Sequence, residues 1–539
     1  MRMLIKIGWS RLPLTLLLVA VFFNGLFSQA PVVSISPELK IAKSHSFQSH
    51  LFSDAGGHYI AFDDESSRTG INLSGSITRV ILEKYDPNFK LEYSKTYESE
   101  KKNVASMGLR YFNGQFLWLF SETNKREDYI RYNLSPIDLK GKKSKSIEVA
   151  KLKYESRDDR PTVFWNTSKD STKLLFRAVT DDDRIDAYFK VFISVLNKDL
   201  SVDWSQKVAL PYNEAQVEVL GTILKNDGSV DMLAKVYEGK RAKESKKNDD
   251  RKSVAAYEIK LFHFAKGAEK PKEFPLQLGD AFIRGASLAT DEKDNLKCAG
   301  FYATTKNGSI QGMFYLDIAS NGEIRSSNKK SFTITELKQF GERNTDKDRG
   351  GDFGLENSFT FSDFLIRADG SAVVVAEENY FTVSTNYYGR TYTTTTRYYS
   401  NDIIIFSINS AGEIERTSSI PKYQIGVNTK YFLSHVSLVD GNNIAFFYNE
   451  DEDNMSKPVK NPKPKLVNDF NDCVAVMTTL TSDGQLTRTA LFEAQDIETL
   501  FVPNLSTPFD RNKLFFVSIK PKLFGKNNFR MGTVVLPKA

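Results

Sequence analysis

Residues 402–420 read DIIIFSINSAGEIERTSSI, and residues 473–491 read CVAVMTTLTSDGQLTRTAL. Laid over one another, both show an apolar run, a tight polar turn, then a charged alternating run that closes on one apolar residue. The outline recurs at 76–97 (SITRVILEKYDPNFKLEYSKTY), 189–210 (FKVFISVLNKDLSVDWSQKVAL) and 310–332 (IQGMFYLDIASNGEIRSSNKKSF). A short continuous apolar run fits a strand buried on both faces, whereas alternation marks a strand with one face in water. This pairing describes the third strand of a propeller blade, packed between neighbouring blades, and the fourth, at the wetter outer edge.

Two further apolar runs precede most of these hairpins and supply the inner pair: 106–112 with 116–120, 163–166 with 174–178, 217–224 with 230–236, 282–288 with 297–302, 359–366 with 372–377, and 432–438 with 443–448. The units fall near 44–98, 105–152, 161–210, 215–277, 281–333, 357–421, 431–493 and 499–537. The last has only three strands, and Val32–Ile35 has no partner in the first. The two deficits cancel if the N-terminal strand completes the last blade, which removes the open edge a linear array exposes. The expected fold is therefore all-β, a single propeller of about eight four-stranded blades, with seven as the competing count. Two or three β-sandwich domains would need Pro/Gly/Ser-rich linkers, and none lies between the units. Asn-Gly and Asp-Gly pairs at 113, 227, 307, 321, 369, 440 and 483 mark hairpin turns. All are expected on the face that carries the turns between strands one and two and between strands three and four.

A chain of 539 residues that is 40% hydrophobic and 26% charged is globular, and two cysteines exclude a disulfide scaffold. Arg2, Lys6 and Arg11 precede the apolar run Leu12–Phe23 and small residues at Ser28 and Ala30. That is a secretory signal peptide, 1–28, with 29–539 as the exported propeller. The run is short of the roughly 20 residues a bilayer span needs. Without those three cations, 70 Lys+Arg face 67 Asp+Glu, so whole-chain charge gives nucleic-acid binding no support. Cys298 and Cys473 are expected as separate buried thiols rather than a pair.

Long segments at 238–254, 333–357, 380–401 and 449–471 map to the other face, between strands two and three or between blades. Insertions confined to one face mark a binding face in repeat folds. The basic 238–254 reads as a solvated loop or as a contact for an acidic partner. The stretch 449–471 turns from acidic to basic and reads as a solvated loop; it lacks the spacing of a Ca²⁺ loop. The acidic 180–183 is the same kind of signal. The segment 380–401, YFTVSTNYYGRTYTTTTRYYSN, is different: strand formers run on both sides of Gly389 with no carboxylate. It is expected as a protruding hairpin whose Tyr387, Tyr388, Arg390, Tyr392, Arg397, Tyr398 and Tyr399 contact a partner, because Tyr and Arg dominate interface hot spots. In each adjacent Tyr pair one ring points inward and one outward. The competing reading is a hairpin folded flat over neighbouring blades.

No chemistry-bearing motif is present. The five histidines form no HExxH, and the chain has no GxSxG elbow, no phosphate loop and no SxDxGxxW box. No cofactor, metal or catalytic residue is assigned. His45, His50 and His435 fall near the central channel, where they either line a small pocket or pack into the wall.

The run Tyr398–Ile405, followed by Ala411–Ile414, Ile420–Lys422, Tyr431–Ser434 and Asn443–Tyr448, resembles a segment that recurs in secreted, β-rich, propeller-like proteins of Bacteroidetes-type bacteria. It spans about 375–450. The resemblance implies a cell-envelope lineage, periplasmic or extracellular, and supplies no reaction and no site residues. The expected function is a non-catalytic exported propeller that binds an envelope or outer-membrane protein through its insertion-bearing face, as an accessory subunit of a secretion or outer-membrane complex would. A glycan-binding or carbohydrate-active propeller is the alternative.

Overall fold

The computed structural model describes residues 30–41, 44–65, 77–99, 103–154, 161–179, 187–239, 257–304, 309–319, 322–340, 354–355, 358–367, 369–388, 391–460, 463–467, 472–520 and 528–537. The signal-peptide segment, most of 238–254, the acidic 180–183 and Arg390 lie outside them.

Eight antiparallel sheets follow one another along the chain. The first seven run over 45–98, 104–153, 162–213, 217–275, 282–331, 359–420 and 436–493, each pairing its strands in sequence order. This is the eight-bladed propeller the repeats predict. Second strands such as Gly57–Asp64 and Asn443–Asp451 are buried almost throughout, whereas the outer strand Ile324–Ser331 buries only alternate positions in part. The cores lie between blades: Val373, Val375, Ile403 and Ile405 of blade six pack on Ile444, Phe446, Tyr448, Val474 and Val476 of blade seven. Each such side chain contributes about 1.5–3 kcal/mol on burial. Turn chemistry follows the sequence, as at Asn113 (φ 47°) and Gly114 (φ 79°), both left-handed as a type I′ hairpin requires.

The ring closes through the N-terminal strand. Val32–Ile35 pairs antiparallel with Asn528–Val535, Val32 opposite Val535 and Ile35 opposite Gly532. A Cβ at Gly532 would stand 2.5 Å from the Ser34 carbonyl and 2.2 Å from the Phe516 ring, so only glycine admits the closing strand here. Ser36 reinforces the seam: its Oγ accepts from the Met531 N–H at 3.0 Å, and its carbonyl accepts from Arg530 at 3.1 Å. The inner position of blade eight is split between Leu500–Phe501 and Thr507–Asp510, both paired with Lys513–Lys520.

Three expectations need correction. Asn307-Gly308 itself lies outside the described residues, but in the chain it falls between Leu296–Ala303 and Gly312–Ile318, the second and third strands of blade five, and not between strands one and two or three and four as expected. The second strand of blade seven runs to Asp451, so that insertion begins at 452. The 333–357 segment starts with a helix, Ile334–Gln339, whose cap is a reciprocal pair of hydrogen bonds between Thr333 and Glu336. Its Leu337 and Phe340, with Leu355, seal the core between blades five and six. Cys298 and Cys473 are buried on separate blades, and burial pushes the Cys298 thiol well up.

Candidate functional site

Blade six does not end where its neighbours end. Its middle strands, Ala372–Tyr388 and Thr391–Ile408, continue past the disc as one hairpin, paired from Ala372↔Ile408 to Tyr388↔Thr391. The pairing slips by one residue between Glu377 and Asn379. Below this bulge the sequence is that of a buried blade strand (AVVVA). Above it, Thr, Ser and Tyr keep the extended backbone while tolerating water on both faces. A third strand, Gln424–Val427, pairs with Arg397–Ser400. The Thr396 N–H donates to Asn428 Oδ1 at 2.9 Å. Val467, from the insertion in blade seven, flanks that strand in turn: the Ile425 N–H donates to its carbonyl at 3.1 Å, and its own N–H donates to the Tyr423 carbonyl at 2.9 Å. Segments about seventy residues apart in sequence thus build one raised sheet over blades six and seven.

The register sorts the predicted contact residues onto two faces. Phe381, Val383, Tyr387, Tyr392 and Tyr398 share one, with Phe381 opposite Tyr398 and Tyr387 opposite Tyr392. Tyr387 and Tyr392 are 77% and 67% exposed near the tip, their ring centroids 6.3 Å apart. On the other face Tyr399 stacks on Tyr380 at 4.4 Å near the base. There burial lifts the Tyr380 hydroxyl to about 12. Arg397 is exposed on this second face, and the backbone of Tyr388 continues it. Tyr398 and Tyr399 therefore lie on opposite faces, and near the tip Asn386 and Tyr387, on opposite faces too, are both exposed. Sequence reading missed four neighbours: Phe381, Val383, Val427 and Tyr431 are each more than half exposed. Of eleven large apolar side chains exposed among the described residues, six lie between Phe381 and Tyr431, which concentrates exposed apolar surface here.

Beneath the hairpin lies a buried polar network. Glu377, at the bulge, receives Lys422 Nζ at 2.9 Å and His435 Nδ1 at 3.2 Å, with all three side chains at most 1% exposed. Ser434 Oγ and Asn379 Nδ2 donate to its other oxygen. Lys422 also donates to the Ser400 carbonyl at 2.9 Å and Gln424 Oε1 at 3.0 Å. Burial alone raises a carboxyl, but Lys422 and His435 outweigh it and hold Glu377 far below its usual range. Burial likewise works against the His435 imidazolium. The Glu377 charge and Asp363, 3.6 Å from Nε2, overcome it and hold His435 up at about 9.

Ser362 Oγ, on the channel-lining strand, is 3.3 Å from His435 Nε2. Serine, histidine and glutamate thus stand in the order of a nucleophilic triad, but the electrostatics oppose that use. A general base must be a neutral imidazole, whereas this one is charged at neutral pH and its carboxylate is shared with a lysine. The arrangement is an ion-pair lock at the root of the hairpin.

His50 and His58 are packed side chains rather than pocket groups. His50 Nε2 and His58 Nδ1 both contact Ser53 Oγ, at 2.7 and 2.6 Å. Burial holds His50 down at about 3 and His58 at about 4. The 449–471 insertion is no solvated loop at its start. Glu450 is buried against Asn454 Nδ2 (2.8 Å) and Arg488 (3.2 Å). The acidic and basic ends close on each other, with Lys465 Nζ 3.2 Å from Asp451 and 2.7 Å from Asp453. No group of metal-ligating side chains is found among the described residues. A cavity of about 540 Å³ lies across the ring, between blades two and three, lined by Glu127, Asp128, Lys153, Tyr154, Lys190 and Lys207.

No known protein family and no curated protein matches the chain. Among solved structures it is similar to the propeller domain of the Trilobed protease from Pyrococcus furiosus, at 9% identity over 85% of this chain and 98% of that one (TM-score 0.33). It is also similar to a protein of unknown function from Dyadobacter fermentans, at 8% identity over 71% and 97% (TM-score 0.30). A third likeness is to puromycin hydrolase, at 10% identity over 88% and 58% (TM-score 0.34). Likenesses this distant transfer neither residues nor activity; the fold rests on the sheets themselves.

Proposed function

We propose that this chain is a non-catalytic, exported propeller of the cell envelope that docks another envelope protein on the raised sheet of blades six and seven. The observation that carries the reading is the row of exposed apolar side chains, Phe381, Val383, Tyr387 and Tyr392, on one face of that sheet. Monomeric proteins rarely leave such surface contiguous and uncovered, and Tyr is the side chain that binds with least entropy loss. The locked base adds support, since a contact surface held rigid before association loses less on binding. Export and the envelope setting rest on the signal-peptide pattern and the sequence resemblance.

The test replaces residues 387–392 by Asn-Gly, so that Asn386 and Thr393 close a two-residue turn in the native register. The contact of Thr396 with Asn428 lies outside the cut, and the blade should fold unchanged. Recovery of the co-purifying partner from native membranes should fall at least about tenfold, equivalent to 1.4 kcal/mol. Undiminished recovery by the shortened protein overturns the reading.

A further inference from the structure

The hairpin has two edges, and among the described residues only one is covered. On the Thr391–Ser400 side lies the strand Gln424–Val427. On the other side the inner strand of blade six, Phe359–Ile366, accompanies the hairpin only as far as Glu378. Its last backbone bond is from the Asn379 N–H to the Ser358 carbonyl at 2.9 Å. From there to Tyr388 no strand among the described residues pairs with this edge. Because Asn379 directs its N–H outward, antiparallel alternation sends the backbone groups of Phe381, Val383, Thr385 and Tyr387 outward too. The even-numbered residues face Thr391–Ser400. A row of N–H and C=O groups along a run of about ten residues therefore has no strand partner among the described residues.

Natural edge strands are blunted by charges, proline, bulges or brevity. This one, NYFTVSTNYY, has no charge and no proline and follows its only bulge. We propose that the edge Asn379–Tyr388 receives an extended segment of a different polypeptide as an added β-strand. Main-chain hydrogen bonds supply affinity, and Phe381, Val383 and Tyr387 supply side-chain selection. The inference rests on the docking role proposed above and specifies its mode. Charge selects the occupant: from Tyr380 to Asn401 the chain carries Arg390 and Arg397 and no carboxylate. The segment that fits is free of Lys, Arg and Pro, alternates apolar residues, and carries acidic residues if it is charged at all. A second copy of this hairpin would bring the same two arginines and no counter-charge.

The test uses decapeptides displayed on phage and selected against the intact protein, compared across three variants. Val383→Pro deletes an outward N–H while leaving the hairpin's internal ladder whole. Thr385→Pro does the same two residues on, in case the first variant misfolds. Val383→Thr trims apolar surface but keeps the N–H. Selected peptides should lack Pro and basic residues, lose at least tenfold in affinity to each proline variant that keeps the native circular dichroism, and lose less than threefold to Val383→Thr. Recovery of no peptide tighter than about 100 µM overturns the inference, as do peptides indifferent to both proline variants. A concentration-dependent dimer abolished by the proline variants would also overturn it, since the occupant would then be a second copy. If replacing residues 387–392 weakens native-partner recovery while the proline variants do not, docking stands and strand addition is refuted. If neither change matters, both fail.

Discussion

The buried imidazolium of His435 makes stability depend on pH in one direction only. Its value moves from 6.5 in an unfolded chain to about 9 in the fold, because Glu377 and Asp363 face it more effectively than burial opposes it. At 1.36 kcal/mol for each tenfold change, the difference corresponds to about 3 kcal/mol. The folded state holds this proton more tightly than the unfolded chain does. The contribution is therefore complete below about pH 6.5, declines as pH rises, and is gone once pH passes about 9. Comparing the protein with His435→Gln isolates this from every other titration, because both share all remaining groups. Urea unfolding followed by intrinsic fluorescence should give a stability gap between the two that is about 3 kcal/mol wider at pH 6 than at pH 10. Side chains facing the imidazole are Glu377, Asp363, Ser362 and Phe446, and Glu377, held far below its usual range, stays ionised over that interval. A gap of constant width, or one that widens toward high pH, would refute the charge state assigned to His435 and with it the argument against a catalytic serine.

Lys422→Met should destabilise the protein by about 3–5 kcal/mol, since it leaves the Glu377 carboxylate buried with half its compensation; adding Glu377→Gln should restore part of that loss, read as a urea midpoint. Removing residues 30–36 strips the closing strand and should lower stability by several kcal/mol, on the order of two half-buried apolar side chains and a strand ladder, with aggregation through the bared edge of Asn528–Val535 visible by light scattering. Lys465→Ala should lower the midpoint less than Arg488→Met does, because Lys465 is half exposed and of its two partners only Asp451 is buried, whereas Arg488→Met strands the fully buried Glu450. Tyr387→Ala should leave the midpoint within about 0.5 kcal/mol of the parent.

The blades were legible because their signal is local. Period-two alternation and Gly-containing turns are fixed within about twenty residues, and an apolar run such as 403–406 announces a buried strand without knowledge of its neighbours. The closing role of Val32–Ile35 was legible by counting strands. The two-faced tyrosines were legible because alternation is a backbone property, and the outline of the hairpin followed. The helix at Ile334–Gln339 was overlooked although Thr333 and Glu336 stand at the capping-box spacing; a helix of six residues offers too little periodicity to be seen by its apolar face.

The lock under the hairpin was illegible for a different reason. Glu377 and Glu378 end the run AVVVA, and in sequence they look like charges placed where a strand leaves the core. Instead the strand continues, and the bulge at 377–379 turns the Glu377 carboxylate inward to a lysine 45 residues on and a histidine 58 residues on. Neither distance has a period, and the pairing depends on where blade seven sits against blade six. The clue that was present is an absence: no Gly, Pro or Asp lies between Glu378 and Gly389, and Asn379 is followed at once by the strand formers Tyr380–Val383, so the chain carries no turn pair where the carboxylates stand. Two carboxylates inside an uninterrupted strand at the limit of a packed core must either face water or find cations. Lengthening the hairpin carries the strand past the neighbouring blades, and the apolar contacts that fix register inside the disc no longer reach it. A buried charge pair makes a one-residue slip costly, because slipping would withdraw the Glu377 carboxylate from Lys422 and His435 together and expose the apolar face the strand keeps inside. The network therefore sets the hairpin's register at the place where hydrophobic packing stops setting it.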